Sequence, residues 1–207
     1  GTTLEGAPVF EVSAVTGEGI DALREALAVR VRNWKRPEPA GYFRLPVDRA
    51  FAMRGHGLVV TGTAIGGAVH VDAALRILPG GKDVRVRSIQ VHGESVERAH
   101  YGQRVALNLA GVSQLEVARG HVVCEPQLDR ATSRFDAYVE LRPAARRPLK
   151  RHALVRVHLG TAEVMARVVW LDGREALAPK ESAYAQLVLR EPVAAFGGDR
   201  FILRNQT

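Results

Sequence analysis

Three side chains in this sequence are best suited to chemistry: an acid and two arginines set into apolar, β-branched runs. Asp48 and Arg49 interrupt Val47-Asp48-Arg49-Ala50-Phe51, and Arg104 interrupts Gln103-Arg104-Val105-Ala106-Leu107. A guanidinium carries a permanent charge and a planar fork of donors that matches a carboxylate or another compact anion. A lone arginine in a strand is ordinarily just a solvated side chain. Two in one barrel, one of them beside Asp48, admit two readings: a structural Asp–Arg salt bridge, or a pocket that reads an anion.

A second basic feature is the run from Arg142 to Arg156. It holds Arg142, Arg146, Arg147, Lys150, Arg151 and Arg156 with no acid among them. A solvated loop fits this pattern, and so does a surface for phosphates, where each cation releases counterions and adds salt-dependent affinity.

Other chemistries find no support. Gly55-His56-Gly57 is followed by Leu58-Val59-Val60, which continues a strand where a dinucleotide fingerprint would open a helix; a tight turn accounts for the glycines. Gly66-Gly67 and Gly80-Gly81 are expected to be hairpin turns. The phosphate-cradling pattern GxxxxGK[ST] does not occur, so the chain is expected neither to bind nor to hydrolyse a nucleoside triphosphate by itself. The seven histidines, His92 and His100 included, lack metal-ligand spacing, and no second cysteine could help, so no metal is expected. Cys124, at the end of His121-Val122-Val123-Cys124, reads as a half-buried strand-end thiol with no base beside it. The chain is therefore expected to be a binding module, not an enzyme.

The elements that must hold these residues are mostly strands. From Phe43 to Ala110 short blocks rich in Val, Ile, Leu and Thr are closed by glycine or polar turns, the pattern of a closed β-barrel. The first 33 residues differ. Val9, Phe10 and Val12 suggest a short strand, residues 13–19 a loop, and Ile20, Leu23, Leu27 and Val31 an amphipathic helix. One such unit is too small to bury its own apolar face, so it is expected to be the end of a larger α/β domain. Pro37 and Pro39 then stiffen an extended connector. Beyond a second polar link, Phe135, Ala137, Val139 and Leu141 alternate with polar residues, as do parts of 154–159 and 164–171. The expected division is 1–33, the end of an α/β domain; 34–42, a linker; 43–126, a barrel; 127–133, a linker; and 134–207, a second barrel that is incomplete.

At 207 residues the chain can bury real cores, and no apolar run approaches the ~20 residues that a membrane span needs. One cysteine rules out an internal disulfide and fits a reducing, cytoplasmic setting. The 29 basic and 22 acidic residues leave +7, which favours a polyanionic partner, nucleic acid before acidic protein.

The runs FRLPVDRAF, GHGLVVTGTAIGG, VRVRSIQVHG, YGQRVALNLAGV and RGHVVCEP closely resemble the second domain of translational GTPases, relatives of elongation factor Tu. The VVTGT and GQRVALNLAG runs are shared across those factors; Asp48-Arg49 with Arg104 is similar to the selenocysteine-specific branch. HLGTAE and GDRFILR resemble the third domain, so the resemblance covers nearly the whole chain. It implies a mainly β fold: two tandem barrels preceded by a strand-loop-helix remnant of a GTPase domain. It implies that Ser13, Ala14 and Val15 match the loop that contacts the guanine base, and that GTP and Mg²⁺ serve the intact protein. Asp48, Arg49 and Arg104 would form the aminoacyl pocket. A selenol, unlike serine's hydroxyl, is ionised at neutral pH and suits two guanidiniums, with Asp48 fixing one of them. Arg142, Arg146, Arg147, Lys150 and Arg151 would touch the tRNA backbone. The implied partners are selenocysteinyl-tRNA, the ribosome and, through a further C-terminal region, a messenger hairpin; the implied state is a monomer, with no membrane. Two rivals are another translational GTPase and the GTPase subunit of a sulfate-activating enzyme, whose barrels form a protein interface. One departure from the family pattern is His70-Val71-Asp72-Ala73-Ala74, which lacks the usual turn glycine, so this hairpin is expected to differ in shape.

Overall fold

The computed structural model describes residues 4–34, 41–53 and 57–205 of the chain. These fall into two compact units, Gly1–Glu38 and Pro39–Thr207. In the first, helix α1 (Ile20–Asn33) carries Asp21 in its first turn and Arg30 and Arg32 in its last, each favourable to the helix dipole. Gly19 enters it at φ 71°, and a Cβ there would lie 2.1 Å from the Glu11 carbonyl oxygen. The expected strand at Val9–Val12 does not form. A strand needs a neighbour for its N–H and C=O groups, and none runs beside it among the described residues; Val9 is 90% exposed. The proline connector at 35–40 lies outside the described residues.

The second unit begins with strands β1 (Arg44–Met53), β2 (Gly57–Thr63), β3 (Ala68–His70), β4 (Ala74–Leu78), β5 (Lys82–Val91), β6 (Glu94–Val96), β7 (Arg98–His100), β8 (Arg104–Ala110) and β9 (Val122–Cys124). Six of them close into a barrel in the order β4-β9-β1-β2-β8-β5, with β5 pairing back to β4. The alternation seen in the sequence supplies the core: Leu45, Val47, Leu58, Val60, Val86, Ile89, Val105, Leu107 and Leu109 all point inward and are buried. Gly62 permits the close approach of β1 and β2, since a Cβ there would sit 2.2 Å from the Pro46 carbonyl oxygen.

The expected turns fare differently. Gly80-Gly81 joins the paired strands β4 and β5. Gly66-Gly67 is no hairpin: β3 pairs with β7, and Gly66 bridges to Arg44. Here the chain crosses out of the barrel wall, and a Cβ on Gly67 would meet the Phe43 nitrogen at 2.4 Å. At the corner lacking a family glycine, Asp72 itself adopts φ 65°, and the Ala73 N–H donates to the His70 carbonyl at 3.2 Å. Gly55 and His56, two of the three residues of another expected turn, lie outside the described residues. Cys124 is fully buried rather than half-buried, because β4 and β1 flank it on both sides.

Strands β10 (Thr132–Glu140), β11 (Leu149–Lys150), β12 (Leu154–Leu159), β13 (Ala162–Trp170), β14 (Ala176–Leu177), β15 (Ser182–Val193) and β16 (Phe201–Asn205) follow. Five form one open antiparallel sheet in the order β10-β15-β13-β12-β16, a half-barrel, and β11 pairs with β14 in a separate ribbon. Its β10 already starts at Thr132, inside the stretch expected to be linker. Trp170, Val157, Ala166, Val168 and Leu187 fill its concave side. Barrel and half-barrel share a small apolar cluster of Leu78, Val122, Cys124 and Ala194, with Leu128 and Phe196 packed against it. Beside that cluster Arg44 donates to Asp199 at 2.7 Å and lies over the Phe196 ring, 5.1 Å from its centroid.

Candidate anion-binding site

Asp48 is the extra residue of a β-bulge. Val47 pairs with Gly62 and Arg49 with Thr61, leaving Asp48 between them. The bulge shifts the inside–outside alternation by one residue, so Val47 and Ala50 both face the core while Arg49 is exposed on the outer wall. Asp48 accepts from Arg104 twice, at 2.5 and 3.2 Å, and from the Thr61 hydroxyl at 2.6 Å. The hydrogen bond from Arg104 holds the Asp48 carboxyl below the usual carboxylate range; burial opposes this, and Thr61 and the nearby Arg49 charge assist it.

The anchoring therefore assigns different roles to the two arginines. Asp48 orients Arg104, whereas the Arg49 side chain contributes charge but makes no hydrogen bond or ion pair among the described residues. Two of the five N–H donors of Arg104 go to Asp48, which leaves the others for a ligand. Arg104 lines an open cleft of about 220 Å³ together with Thr61, Gln90, His92, Gly93 and Ala106. Register explains the grouping: Arg49, Thr61, Ala106 and Gln90 are consecutive partners across β1, β2, β8 and β5. His92 and Gly93 both have positive φ, 55° and 86°, in the two-residue turn that joins β5 to β6. Sequence reasoning missed Thr61, Gln90 and His92. The His-Gly turn was legible as a hairpin signal, but its place beside Arg104 needed the strand order.

The basic run divides. Arg142, Arg146 and Arg147 are exposed on the loop after β10, and Lys150 is exposed on β11. Arg151 is drawn to Glu175 at 3.6 Å and Arg156 to Glu163 at 3.2 Å. A larger basic surface went unread. On the convex side of the half-barrel Arg134 and Arg167 both pair with Val188, from opposite sides, and Arg156 pairs with Arg204. Arg134, Arg167 and Arg204 are exposed and have no acidic partner among the described residues. Each stands at an outward position of its own strand, so only the sheet order brings them together.

In the first unit the Ser13 hydroxyl accepts from the Thr16 N–H at 3.2 Å, and the Ser13 carbonyl accepts from Gly17 at 2.8 Å. Ala14 and Val15 stand exposed at the head of this turn, their backbone N–H groups unpaired among the described residues. Among the described residues no cluster of His, Cys, Asp or Glu could hold a metal ion, and no helix is long and apolar enough to cross a membrane.

Residues 136–207 match the family model described as selenocysteine-specific elongation factor, beta-barrel domain. The chain is 39% identical over 99% of its length to the selenocysteine-specific elongation factor of Desulfomicrobium baculatum, of which it covers 32%. It is 30% identical over 97% of its length to that of Methanocaldococcus jannaschii, covering 45% of it. The chain thus spans 32% to 45% of the length of these relatives. Among solved structures, translation elongation factor SelB from Methanococcus maripaludis in its apo form superposes with a TM-score of 0.81 at 29% identity, over 94% of this chain and 46% of that one. A bacterial selenocysteine-specific elongation factor superposes with a TM-score of 0.78 at 25% identity, over 98% of this chain and 33% of that one.

Proposed function

This chain is homologous to the selenocysteine-specific elongation factors along nearly all of its length, and from that premise we propose that it is the part of such a factor that holds the charged end of selenocysteinyl-tRNA for delivery to the ribosome. Residues 43–126 act as domain 2 and 134–207 as part of domain 3; residues 1–33 close the GTPase domain. The observation that carries this reading is the paired Asp48 and Arg104 at the mouth of an open cleft, with the unpaired Arg49 on the same wall. A selenolate meets the free donors of Arg104 there, with the Arg49 charge on the same wall, and the Asp48 contact holds Arg104 in place before the ligand arrives. A charge-assisted contact contributes about 1.5–3 kcal/mol. Serine carries no charge for this site and leaves Arg49 and the free donors of Arg104 without an anion, which turns attraction into discrimination.

The exposed Ala14 and Val15 N–H groups fit a guanine base, whereas the chain has no cradle for its phosphates; GTP and Mg²⁺ belong to the intact protein, where they supply the switch that loads and releases tRNA. The convex arginines and the loop from Arg142 to Arg147 provide a backbone grip, which fits the +7 charge of the chain. A messenger hairpin would be bound elsewhere in the longer protein. The setting is cytoplasmic.

The test compares the intact factor, loaded with GTP, on selenocysteinyl-tRNA and seryl-tRNA of the same tRNA body. Arg104→Ala is expected to cut the preference for selenocysteine by roughly ten- to a hundredfold. Equal affinities in the wild type, unmoved by the substitution, would refute the pocket.

A further inference from the structure

We propose that the hairpin tip joining β12 to β13 in the half-barrel positions the anion site of the barrel, by bracing the bulge that aims Asp48 at Arg104. Leu159 pairs with Ala162, so the tip is the two-residue turn Gly160-Thr161. Gly160 stands against Pro46 of β1: a Cβ on it would lie 3.4 and 3.5 Å from the Pro46 Cβ and Cγ. Leu45 and Val47, on either side, belong to the barrel core, so Pro46 points out of the barrel, yet it is buried. The half-barrel covers it. The preceding outward residue, Arg44, is held by Asp199 of the segment between β15 and β16. The next is Asp48, roughly 7 Å further along the strand.

A second contact reaches the bulge from its flank. Val47 donates its N–H to the His121 carbonyl at 2.8 Å, and its own carbonyl accepts from the Gly120 N–H at 3.0 Å. Both backbone groups of the residue before the bulge are thus tied to the loop between β8 and β9. That loop is closed on itself, the His121 N–H donating to the Ala118 carbonyl at 3.2 Å. Its Gly120 has φ 95°, and a Cβ there would lie 3.1 Å from the Cα of Ala162, the first residue of β13. The Thr161 hydroxyl, between these two contacts, is cut off from solvent, so the tip is seated and not free. A bulge is a weak point of its ladder, because the extra residue has no partner opposite. Clamped at Pro46 and, through Gly120, at Val47, this one keeps the Asp48 carboxylate on Arg104. Close packing passes a displacement of the tip on to the bulge. The strands of this hairpin also carry Arg156 and Arg167, so one element joins the basic surface to the anion site. The inference rests on the reading of Asp48 and Arg104 as the amino-acid site, and adds the part of the half-barrel that sets their geometry.

The test has two readouts. In the 207-residue chain, a carbon-13 NMR titration of the Asp48 carboxyl reports its pairing with Arg104 with no RNA present. Ala162→Val crowds Gly120 and should move the Asp48 midpoint up toward the ordinary value of about 3.9. In the intact factor with GTP, it should cut the preference for selenocysteinyl- over seryl-tRNA by about fivefold or more. Ala162→Ser, nearly the same size, should match wild type in both. Val157→Ala opens the half-barrel core on the same hairpin; it should lower the melting temperature and leave the Asp48 midpoint alone. Pro46→Ala thins the contact from the barrel side and should act like Ala162→Val, which covers the case where the latter does not fold. A midpoint unmoved by Ala162→Val and Pro46→Ala, or moved as far by Val157→Ala, overturns the proposal. A midpoint that moves while the preference does not upholds the positioning and refutes the amino-acid reading.

Discussion

Cys124 is a fully buried thiol, and burial sets its ionisation. Burial pushes it up to about 11. An unfolded cysteine ionises near 8.5, so the contribution of this thiol to stability is complete below that pH and erodes as pH rises toward 11. Native protein at pH 8.5 should resist iodoacetamide and react only after unfolding; rapid native labelling would contradict the packing. Asp48 runs the other way. Its folded carboxyl lies below the usual range, so its pairing with Arg104 is present above the unfolded pKa and is lost only as pH falls through the folded one. Selectivity that depends on this pair should therefore be flat across neutral pH. Gly62 tests the core: Gly62→Ala puts a methyl 2.2 Å from the Pro46 carbonyl oxygen and 3.0 Å from Leu45. The substitution should cost about 1–3 kcal/mol, read as a lowered denaturant midpoint.

Elements show where sequence reading succeeds and where it stops. The strands were legible because Leu45, Val47, Leu58 and Val60, or Ala137 and Val139, alternate at period two, and that period alone places them inside. The bulge was not, since nothing local marks Asp48 as the residue that leaves the ladder; yet it decides that Arg49 faces out. Val9–Val12 has strand character and forms no strand, because strand propensity needs a neighbour to act on. The convex arginines and the cleft partners Gln90 and His92 escaped notice because they come together only through strand order. One short element offers its own test. The 3₁₀ turn Gln114–Glu116 is closed by a capping box in which the Ser113 N–H and hydroxyl both donate to Glu116 at 2.8 Å. These bonds, with Lys82 at 3.0 Å, pull the Glu116 carboxyl down to about 2. Its stabilising effect is whole above the unfolded pKa near 4.3 and disappears toward pH 2. Melting temperatures of wild type and Glu116→Ala should differ at pH 6 and converge at pH 2.

At the scale of the whole second unit, barrel and half-barrel meet through an apolar cluster and an ion pair, and the contribution of the pair should be measurable. Arg44 and Asp199 are only 20% and 16% exposed, and the arginine is also stacked on Phe196. A double-mutant cycle on this pair should give a coupling of about 1–2 kcal/mol; a value near zero would mean that packing, not this ion pair, holds the seam. Closure of the six barrel strands has another consequence. The barrel is complete in its interior without Asp48, Arg49 or Arg104, all of which project from its outer wall. If these three residues read the ligand as proposed, folding and ligand choice draw on separate sets of residues. On that reading the scaffold could exchange one recognised side chain for another by point changes in three places while its fold stays fixed. A library randomised at positions 48, 49 and 104 should remain mostly folded while its preferences scatter, which makes this wall a natural starting point for factors that accept new amino acids.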